Sequence, residues 1–253
     1  MYASIMQTPL FSIITITFNA EAELPPTLAS VDAQGFTDYE HLIIDGASTD
    51  GTIALARATA SARRHIFSEP DKGLYDAMNK GMRRASGKYL IFLNAGDSFT
   101  ASDTLALYAA AARRNPDIIY GDTQLVDAGR RVIGPRHLNV PEQLDFKSFR
   151  RGMLVCHQSF CVKRAIAPDY DLTYRFSADY EWCLRCLRQT SPDRCANLHT
   201  TVTDYLTDGL TDKNHSASLR ERYRIMCHYY GTLPTLLRHI GFACRAALRK
   251  LRK

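Results

Sequence analysis

The sequence has no long uninterrupted hydrophobic run. Its apolar N-terminal stretch, residues 10–18, is short and is broken by Ser12, Thr15 and Thr17. A transmembrane helix needs about 20 consecutive apolar residues, and a secretory leader needs a charged start before its apolar core. We therefore expect a cytoplasmic protein with neither feature.

Cysteine is present, but not in a pattern that suggests disulfide bonds. The seven cysteines form an odd set without the spacing of a small disulfide-linked scaffold, which favours reduced thiols: 156, 161, 183, 186, 195, 227 and 244. A zinc site made of Cys183, Cys186, Cys195 and His199 is the alternative. We favour buried apolar cysteines, because Cys183 and Cys186 lie within a predicted helix.

Acidic residues are missing from the C-terminal segment. From residue 238 onward there are six basic and no acidic side chains, so this segment accounts for the whole net charge of +6. The remainder of the chain is balanced in charge. This distribution argues against a broad nucleic-acid-binding face and favours a local contact with something anionic.

The same segment has the spacing of an amphipathic helix. Its apolar residues recur along one helix face, beside a stripe of arginines: Leu237, Ile240, Cys244, Leu248 and Leu251. A basic amphipathic helix predicts contact with an anionic membrane surface. The alternative is a packed terminal helix whose basic side faces water.

The familiar nucleotide-binding motifs are also absent. There is no Gly-x-Gly-x-x-Gly, and the nearest approach to a P-loop, residues 81–88, has five residues between its glycines instead of four. Tyr89 stands where a P-loop needs Ser or Thr. A P-loop is therefore excluded.

What the sequence does contain is a regular alternation of strands and helices. We predict an α/β protein with an open, mostly parallel sheet flanked by helices. The predicted strands are 11–18, 40–45, 65–68, one ending at Asn94, and 117–121; the predicted helices are 25–33, 52–64, 75–85 and 104–114. Residues 123–126 and 131–133 then flank a turn like a hairpin, which predicts antiparallel additions.

Polar side chains follow two of these strands where each strand ends. Asn94 and Asp97 come after the apolar run 90–93, and Asp45 ends an earlier strand. The carboxyl ends of strands in an open α/β sheet are where ligands bind, so Asp97 is a candidate ligand for a metal or phosphate. A simple turn with an Asx cap is the alternative for residues 94–97.

Several motifs in order resemble family 2 glycosyltransferases of the GT-A (Rossmann-like) fold, especially bacterial surface-polysaccharide transferases of the colanic-acid type. The resemblance covers about residues 10–212. Its motifs are residues 12–19, 43–52, 68–81, 93–97, 156–159 and 177–180.

The resemblance implies a role for each matching residue. The donor nucleotide sugar would contact Thr17, Phe18, Asn19, Asp45, Lys72, Asn79, Asn94, Gly96 and Asp97, with Asp45 reading the base. Asp97 would hold a divalent metal, Mn²⁺ or Mg²⁺, on the donor diphosphate. Asp179 would be the catalytic base, and His157 and Gln158 would face the acceptor or reaction centre.

The sequence departs from the commoner family pattern at two places that touch the chemistry, and a third segment matches it only loosely. Asn94 replaces the first acid of the Asp-x-Asp motif, although Mg²⁺ commonly needs only one or two carboxylates besides substrate phosphates. Ala178 replaces the acid that usually precedes Asp179. Residues 208–211 only loosely match the loop that closes over the diphosphate in this family, where Lys213 and His215 would act; an ordinary connection is the alternative.

We therefore predict an inverting, metal-dependent, hexosyltransferase-type glycosyltransferase. It would use a nucleotide-diphosphate sugar and a glycan or lipid-linked saccharide acceptor for surface-polysaccharide biosynthesis, peripheral on the inner face of the cytoplasmic membrane and without nucleic acid. Its GT-A domain would span 1–212, divided into a nucleotide-sugar half (1–122) and an acceptor half (123–212), followed by a helical region (213–253). The alternatives are a nucleotidyltransferase, which the acidic residues 19–23 disfavour, and an inactive nucleotide-sugar-binding protein.

Overall fold

The strands form one mixed sheet. The computed structural model describes residues 8–59, 61–207 and 215–251, with only the backbone described for 215 and 242–251. In this part of the chain there are nine strands: β1 (Phe11–Thr17), β2 (Tyr39–Asp45), β3 (Arg64–Ser68), β4 (Tyr89–Phe92), β5 (Ser98–Phe99), β6 (Ile118–Val126), β7 (Val132–Pro135), β8 (Phe160–Lys163) and β9 (Cys195–Leu206).

Helices cover both faces of the sheet. Over the same described ranges they are α1 (Leu24–Asp32), α2 (Thr52–Ala58), α3 (Leu74–Arg84), α4 (Thr104–Ala112), α5 (Ala178–Arg188), α6 (His215–Tyr230) and α7 (Thr232–Leu251). One large apolar cluster joins α3 and α5 to the sheet, and a second joins α1 and α4 to its other face. Every residue of β1 is buried, as expected of a strand covered on both sides.

The strand order fixes where the chain reverses direction across the sheet. The order is β3-β2-β1-β4-β8-β6-β9-β5, with β7 paired to β6 outside this path. Strands β3, β2, β1 and β4 are parallel, which confirms the predicted parallel sheet. The predicted hairpin is also confirmed, since β6 and β7 pair antiparallel.

Two parts of the fold differ from the sequence prediction. The helix predicted over 52–64 is wrong in its length, because α2 ends at Ala58 and Arg64 already belongs to β3. Arg64 is part of the sheet, and its buried guanidinium forms an ion pair with the exposed Asp32 of α1 at 2.6 Å. Strand β8, which joins the parallel and antiparallel parts of the sheet, was not predicted.

The structure also bears on the alternatives for the cysteines and on the apolarity of the helices. Cys183 and Cys186 are fully buried on α5, and the described residues contain no group of three or more side chains that could hold a metal ion. The described cysteines are free thiols. No helix in the described ranges combines the length and the apolarity needed to cross a membrane.

Candidate active site

The candidate site is the edge of the sheet at the carboxyl ends of β1, β2 and β4, which we call the cleft. There β1 is bordered by two strands that the chain reaches in opposite directions. The chain runs from β1 to β2 on one side and later to β4 on the other. In an open α/β sheet, ligands bind at the carboxyl ends of the strands at such a switch point. Thr17, at the end of β1, lies in register with Asp45 of β2, and the turn 94–97 follows β4.

Asp45 holds three chain segments together at this edge. Its carboxylate accepts hydrogen bonds from the hydroxyls of Thr17 at 3.0 Å, Ser48 at 2.5 Å and Ser68 at 2.6 Å, and from the Ser48 N–H at 2.9 Å. Burial raises the pKa of Asp45, but these hydrogen bonds outweigh that effect and lower it below its usual value. Asp45 is therefore a buried, fully bonded anion.

An exposed aromatic ring lies beside Asp45. The Phe18 side chain is 64% exposed, and a Cβ on Gly46 would lie 3.3 Å from its ring and 2.5 Å from Asp71 Oδ2. The absence of a side chain at Gly46 thus leaves room for Phe18 and Asp71 to lie against its backbone. Asn19 ties this loop to the next one by accepting the Thr49 N–H at 2.9 Å, and Lys72 lies exposed on the following loop.

The turn 94–97 depends on a glycine. Gly96 has φ +96°, a conformation that other residues rarely adopt, and a Cβ there would lie 2.8 Å from the Leu206 side chain. Thr27 of α1 fastens the turn: its hydroxyl donates to the Asp97 carbonyl at 2.7 Å and accepts the Gly96 N–H at 3.0 Å. The backbone therefore holds Asn94 and Asp97 in fixed positions.

The pKa of Asp97 is shifted in the opposite direction from that of Asp45. It is 4% exposed, and its two oxygens accept the Gln158 amide at 2.8 Å and the Leu206 N–H at 3.0 Å. Burial raises the pKa of Asp97 to about 7, although these bonds and the charge of Arg130 act to lower it. Next to it, the Asn94 side-chain oxygen is buried without a hydrogen-bond partner.

Arg130, on the β6–β7 hairpin, brings a positive charge to the same turn. Its guanidinium donates to the Gly96 carbonyl at 2.5 Å and to the Ser98 hydroxyl. The sequence predicted only a hairpin here and gave Arg130 no role. Ser98 begins β5, which pairs with β9, and β9 in turn pairs with β6 of the hairpin. The contact therefore depends on pairing between strands distant in sequence, which local spacing does not reveal.

Asp179 lies in the first turn of α5, partly exposed. Its carboxylate accepts the Tyr75 hydroxyl at 3.2 Å and the Tyr180 N–H at 2.8 Å. The N-terminus of a helix favours a negatively charged side chain. Tyr75 is the second residue of α3, shortly after the loop that carries Lys72, so Asp179 lies beside the start of α3.

Residues 156–158 connect Asp97 to Asp179. Gln158 binds Asp97 directly, as described above. Burial is the main cause that raises the pKa of the Cys156 thiol, and the charges of both Asp97 and Asp179 raise it further. The charges of both carboxylates therefore reach Cys156.

His157 and Asn79 lie in the wall of the cleft. The His157 ring packs on Phe92 and shares a hydrogen bond with the Tyr170 hydroxyl; burial lowers its pKa to about 4, against an opposing effect of Asp179. The Asn79 amide exchanges two hydrogen bonds with the Tyr170 backbone, at 3.0 and 2.6 Å. Both side chains are buried, so in this structure they stabilise the wall.

Most of the loop predicted to close over the diphosphate lies outside the described residues. Lys213 is not among the described residues, and of His215 only the backbone at the start of α6 is described.

The comparisons with known proteins identify the family. The family model described as "Glycosyl transferase family 2" matches residues 12–170. A PGL/p-HBAD biosynthesis glycosyltransferase of Mycobacterium bovis (strain BCG) is 35% identical over 223 residues, covering 82% of this chain and 83% of that protein. The UDP-Glc:alpha-D-GlcNAc-diphosphoundecaprenol beta-1,3-glucosyltransferase WfgD of Escherichia coli is 21% identical over 187 residues, covering 74% and 73%.

A solved structure shares the fold. The mannosyltransferase from Pyrobaculum calidifontis in complex with GDP-Man and Mn²⁺ has a TM-score of 0.59 and 17% sequence identity; the match covers 95% of this chain and 76% of that one. The predicted GT-A-like α/β fold is thereby confirmed. Because the family model matches more than half of the sequence and the mycobacterial relative is similar over most of both proteins, this chain belongs to glycosyl transferase family 2.

Proposed function

We propose that this glycosyltransferase moves a hexose from a nucleotide-diphosphate sugar to a hydroxyl of a glycan or lipid-linked saccharide, with inversion at the anomeric carbon. The observation that carries the proposal is that two carboxylates border the same segment, residues 157–158. Asp97 accepts the Gln158 amide. Asp179 accepts the hydroxyl of Tyr75, whose ring stacks on Tyr170, the hydrogen-bond partner of His157. Asp97 would hold a metal on the leaving diphosphate, and Asp179 would remove the proton of the acceptor hydroxyl.

The donor's nucleotide would occupy the end of β1. Phe18 offers an exposed ring for a base, and Asp45 fixes the surrounding loops. For Asp45 to read the base, as predicted, one of its four hydrogen bonds would be exchanged for a bond from the base. Asn19 and Lys72 border this surface. The mannosyltransferase of similar fold is in complex with GDP-Man, which supports a nucleotide sugar as the donor.

The residues of the turn fit a divalent metal. The orphaned Asn94 oxygen and the Asp97 carboxylate, whose raised pKa reflects burial without enough positive charge, would both gain from a cation. Donor phosphates and water would complete the ligands of Mn²⁺ or Mg²⁺. When bound, the metal would offset the negative charge that develops on the leaving diphosphate.

This chain's own residues supply the rest of the chemistry. Asp179 would accept the proton of the acceptor hydroxyl while that oxygen attacks the anomeric carbon, and one displacement inverts the configuration. Gln158 holds Asp97 in place, and His157 supports the wall beside Gln158 on the acceptor side. Arg130 adds positive charge near the diphosphate.

A donor screen tests the proposal. Purified protein is incubated with a panel of nucleotide sugars, with and without lipid-linked saccharide acceptors and Mn²⁺, and the released nucleoside diphosphate is measured. We expect release from one donor, stimulated by acceptor and by Mn²⁺. Binding of a nucleotide sugar by calorimetry without any release or transfer would instead indicate an inactive binding protein.

The division into a GT-A domain over 1–212 and a helical region over 213–253 stays a prediction, and so does the location on the inner face of the cytoplasmic membrane. We propose that α7 makes the membrane contact. It leaves a row of apolar side chains exposed at helical spacing: Leu233 (65%), Leu236, Leu237 (61%) and Ile240. Thr235, on its other side, is buried and donates to the Met226 carbonyl of α6 at 3.2 Å.

The membrane contact predicts selective binding to anionic vesicles. Full-length protein should co-sediment with phosphatidylglycerol vesicles but less with phosphatidylcholine vesicles, because the segment is basic as well as apolar. The triple variant Leu233→Ser, Leu237→Ser, Ile240→Ser should lose most of this binding. A matched control is Val132→Ser with Ile133→Ser, which are equally exposed on β7. Unchanged co-sedimentation after removal of residues 238–253 would refute the proposal.

A further inference from the structure

The carboxylate of Glu221, on α6, accepts hydrogen bonds from the backbone just before α5; we call this contact, together with the one made by Ser218, the clasp. Glu221 accepts three backbone N–H groups, from Arg175 at 2.7 Å, Phe176 at 2.7 Å and Ser177 at 2.6 Å. The residues joined are 44 to 46 positions apart in sequence. Hydrogen bonds to an ionised acceptor are roughly twice as strong as those between neutral groups.

Helix α6 also binds the hydroxyl of Ser177, the residue just before α5, through Ser218. Ser177 occupies the N-cap position, but its side chain makes no cap bond to α5. Its hydroxyl instead lies 3.1 Å from both the hydroxyl and the carbonyl oxygen of Ser218, and both serines are buried. The start of α5 is therefore held by α6 and not by its own capping residue.

Asp179 follows this clasp by two residues. Its carboxylate accepts the Tyr75 hydroxyl, and its own backbone belongs to the first turn of α5. The position of the carboxylate therefore depends on where that turn lies. The clasp fixes the three residues that lead directly into that turn.

Helix α6 is a firm platform for such a role. Ile225 and Met226 lie in the main apolar cluster, and the Tyr230 hydroxyl donates to the Phe146 carbonyl at 2.6 Å. Tyr229 also donates to Glu181 of α5, whose carboxylate is buried and paired with Arg185. These contacts fix α6 to α5 at Tyr229 and to the residue 146 segment at Tyr230.

We propose that Glu221 is a positioning residue that holds Asp179 in the geometry needed to deprotonate the acceptor. This inference rests on the proposed function of Asp179. It extends the active machinery to a helix that lies outside the segment matched by the family model, residues 12–170. Displacing a catalytic group by about 1 Å can cost on the order of 10²-fold in rate, so a distant carboxylate can matter.

The test compares Glu221→Gln with Arg224→Ala, a control at an exposed position on the same helix. Glutamine keeps the size of the side chain but removes its charge and turns an amide N–H₂ toward a backbone donor. We expect kcat to fall about tenfold or more, while the donor KM and the calorimetric affinity for the released nucleoside diphosphate change less than about twofold. The control should keep both parameters.

A double variant separates positioning from general stability. In an Asp179→Asn background, Glu221→Gln should cost no further activity, because the group that it positions is already disabled. Ser218→Ala, a milder change to the same clasp, should follow the same pattern if Glu221→Gln folds poorly.

Each contrary outcome has a distinct meaning. Wild-type kcat in both clasp variants, or a further loss in the Asp179→Asn background, would overturn the positioning role while leaving the base assignment intact. If Asp179→Asn itself kept normal turnover, the proposed base would be wrong, and the role of Glu221 would fall with it.

Discussion

Replacing Asp179 with asparagine should lower kcat by about 10²- to 10⁴-fold, the usual contribution of a positioned general base. Asparagine has the same shape and can still accept the Tyr75 hydroxyl and the Tyr180 N–H through its oxygen. It cannot take a proton from the acceptor. Steady-state transfer assays should therefore show a collapse of kcat with donor affinity close to that of the wild type.

Asp193→Asn is a matched control for this change. It removes one exposed carboxylate just beyond α5, away from the cleft, and should leave kcat unaltered. Near-normal transfer by Asp179→Asn would mean that another group is the base.

Asp97→Ala should abolish most of the Mn²⁺-stimulated turnover, by about 10²- to 10³-fold, the range found when a group that stabilises developing charge is removed. The substitution takes away the carboxylate at the turn and leaves the Gln158 amide and the Leu206 N–H without their acceptor. Initial rates measured across a series of Mn²⁺ concentrations, in wild type and variant, provide the comparison.

Chelation and a second variant make this prediction sharper. Removal of metal with EDTA should reduce wild-type turnover strongly and the residual turnover of Asp97→Ala hardly at all. Asp103→Ala, which removes an exposed carboxylate at the start of α4, should respond to Mn²⁺ as the wild type does. A variant at position 97 that kept full Mn²⁺ stimulation would show that the metal binds elsewhere.

The sequence predicted the parallel half of the fold because its signals are local. Buried strands there are short apolar runs separated by helices, so β1, β2 and β4 could be recognised one at a time. Strand β8 could not, because its role depends on pairing with β4 and β6, which lie far away in sequence. The early end of α2 has a similar cause, since Arg64 leaves the helical pattern to pair with Asp32.

The candidate site divides in the same way. Asp45 and Asp97 could be chosen as candidates because each lies at or just after the end of a strand, at one shared edge of the sheet. Thr17 became a candidate through the family resemblance. The partners of each side chain could not be predicted. That the Asn79 amide pairs with the Tyr170 backbone, or that Glu221 grips residues 175–177, follows only from how distant helices and loops pack.

The bonding around Asp45 has an entropic consequence. Ordering a loop residue costs roughly 1 to 2 kcal/mol, and a flexible pocket must meet that cost when its ligand arrives. Here Thr17, Ser48 and Ser68 are already immobilised by one anion before any nucleotide enters. The loops that we propose to bind the base are thus preorganised, so the free energy of nucleotide contact would appear as affinity and would not be spent on ordering the loops.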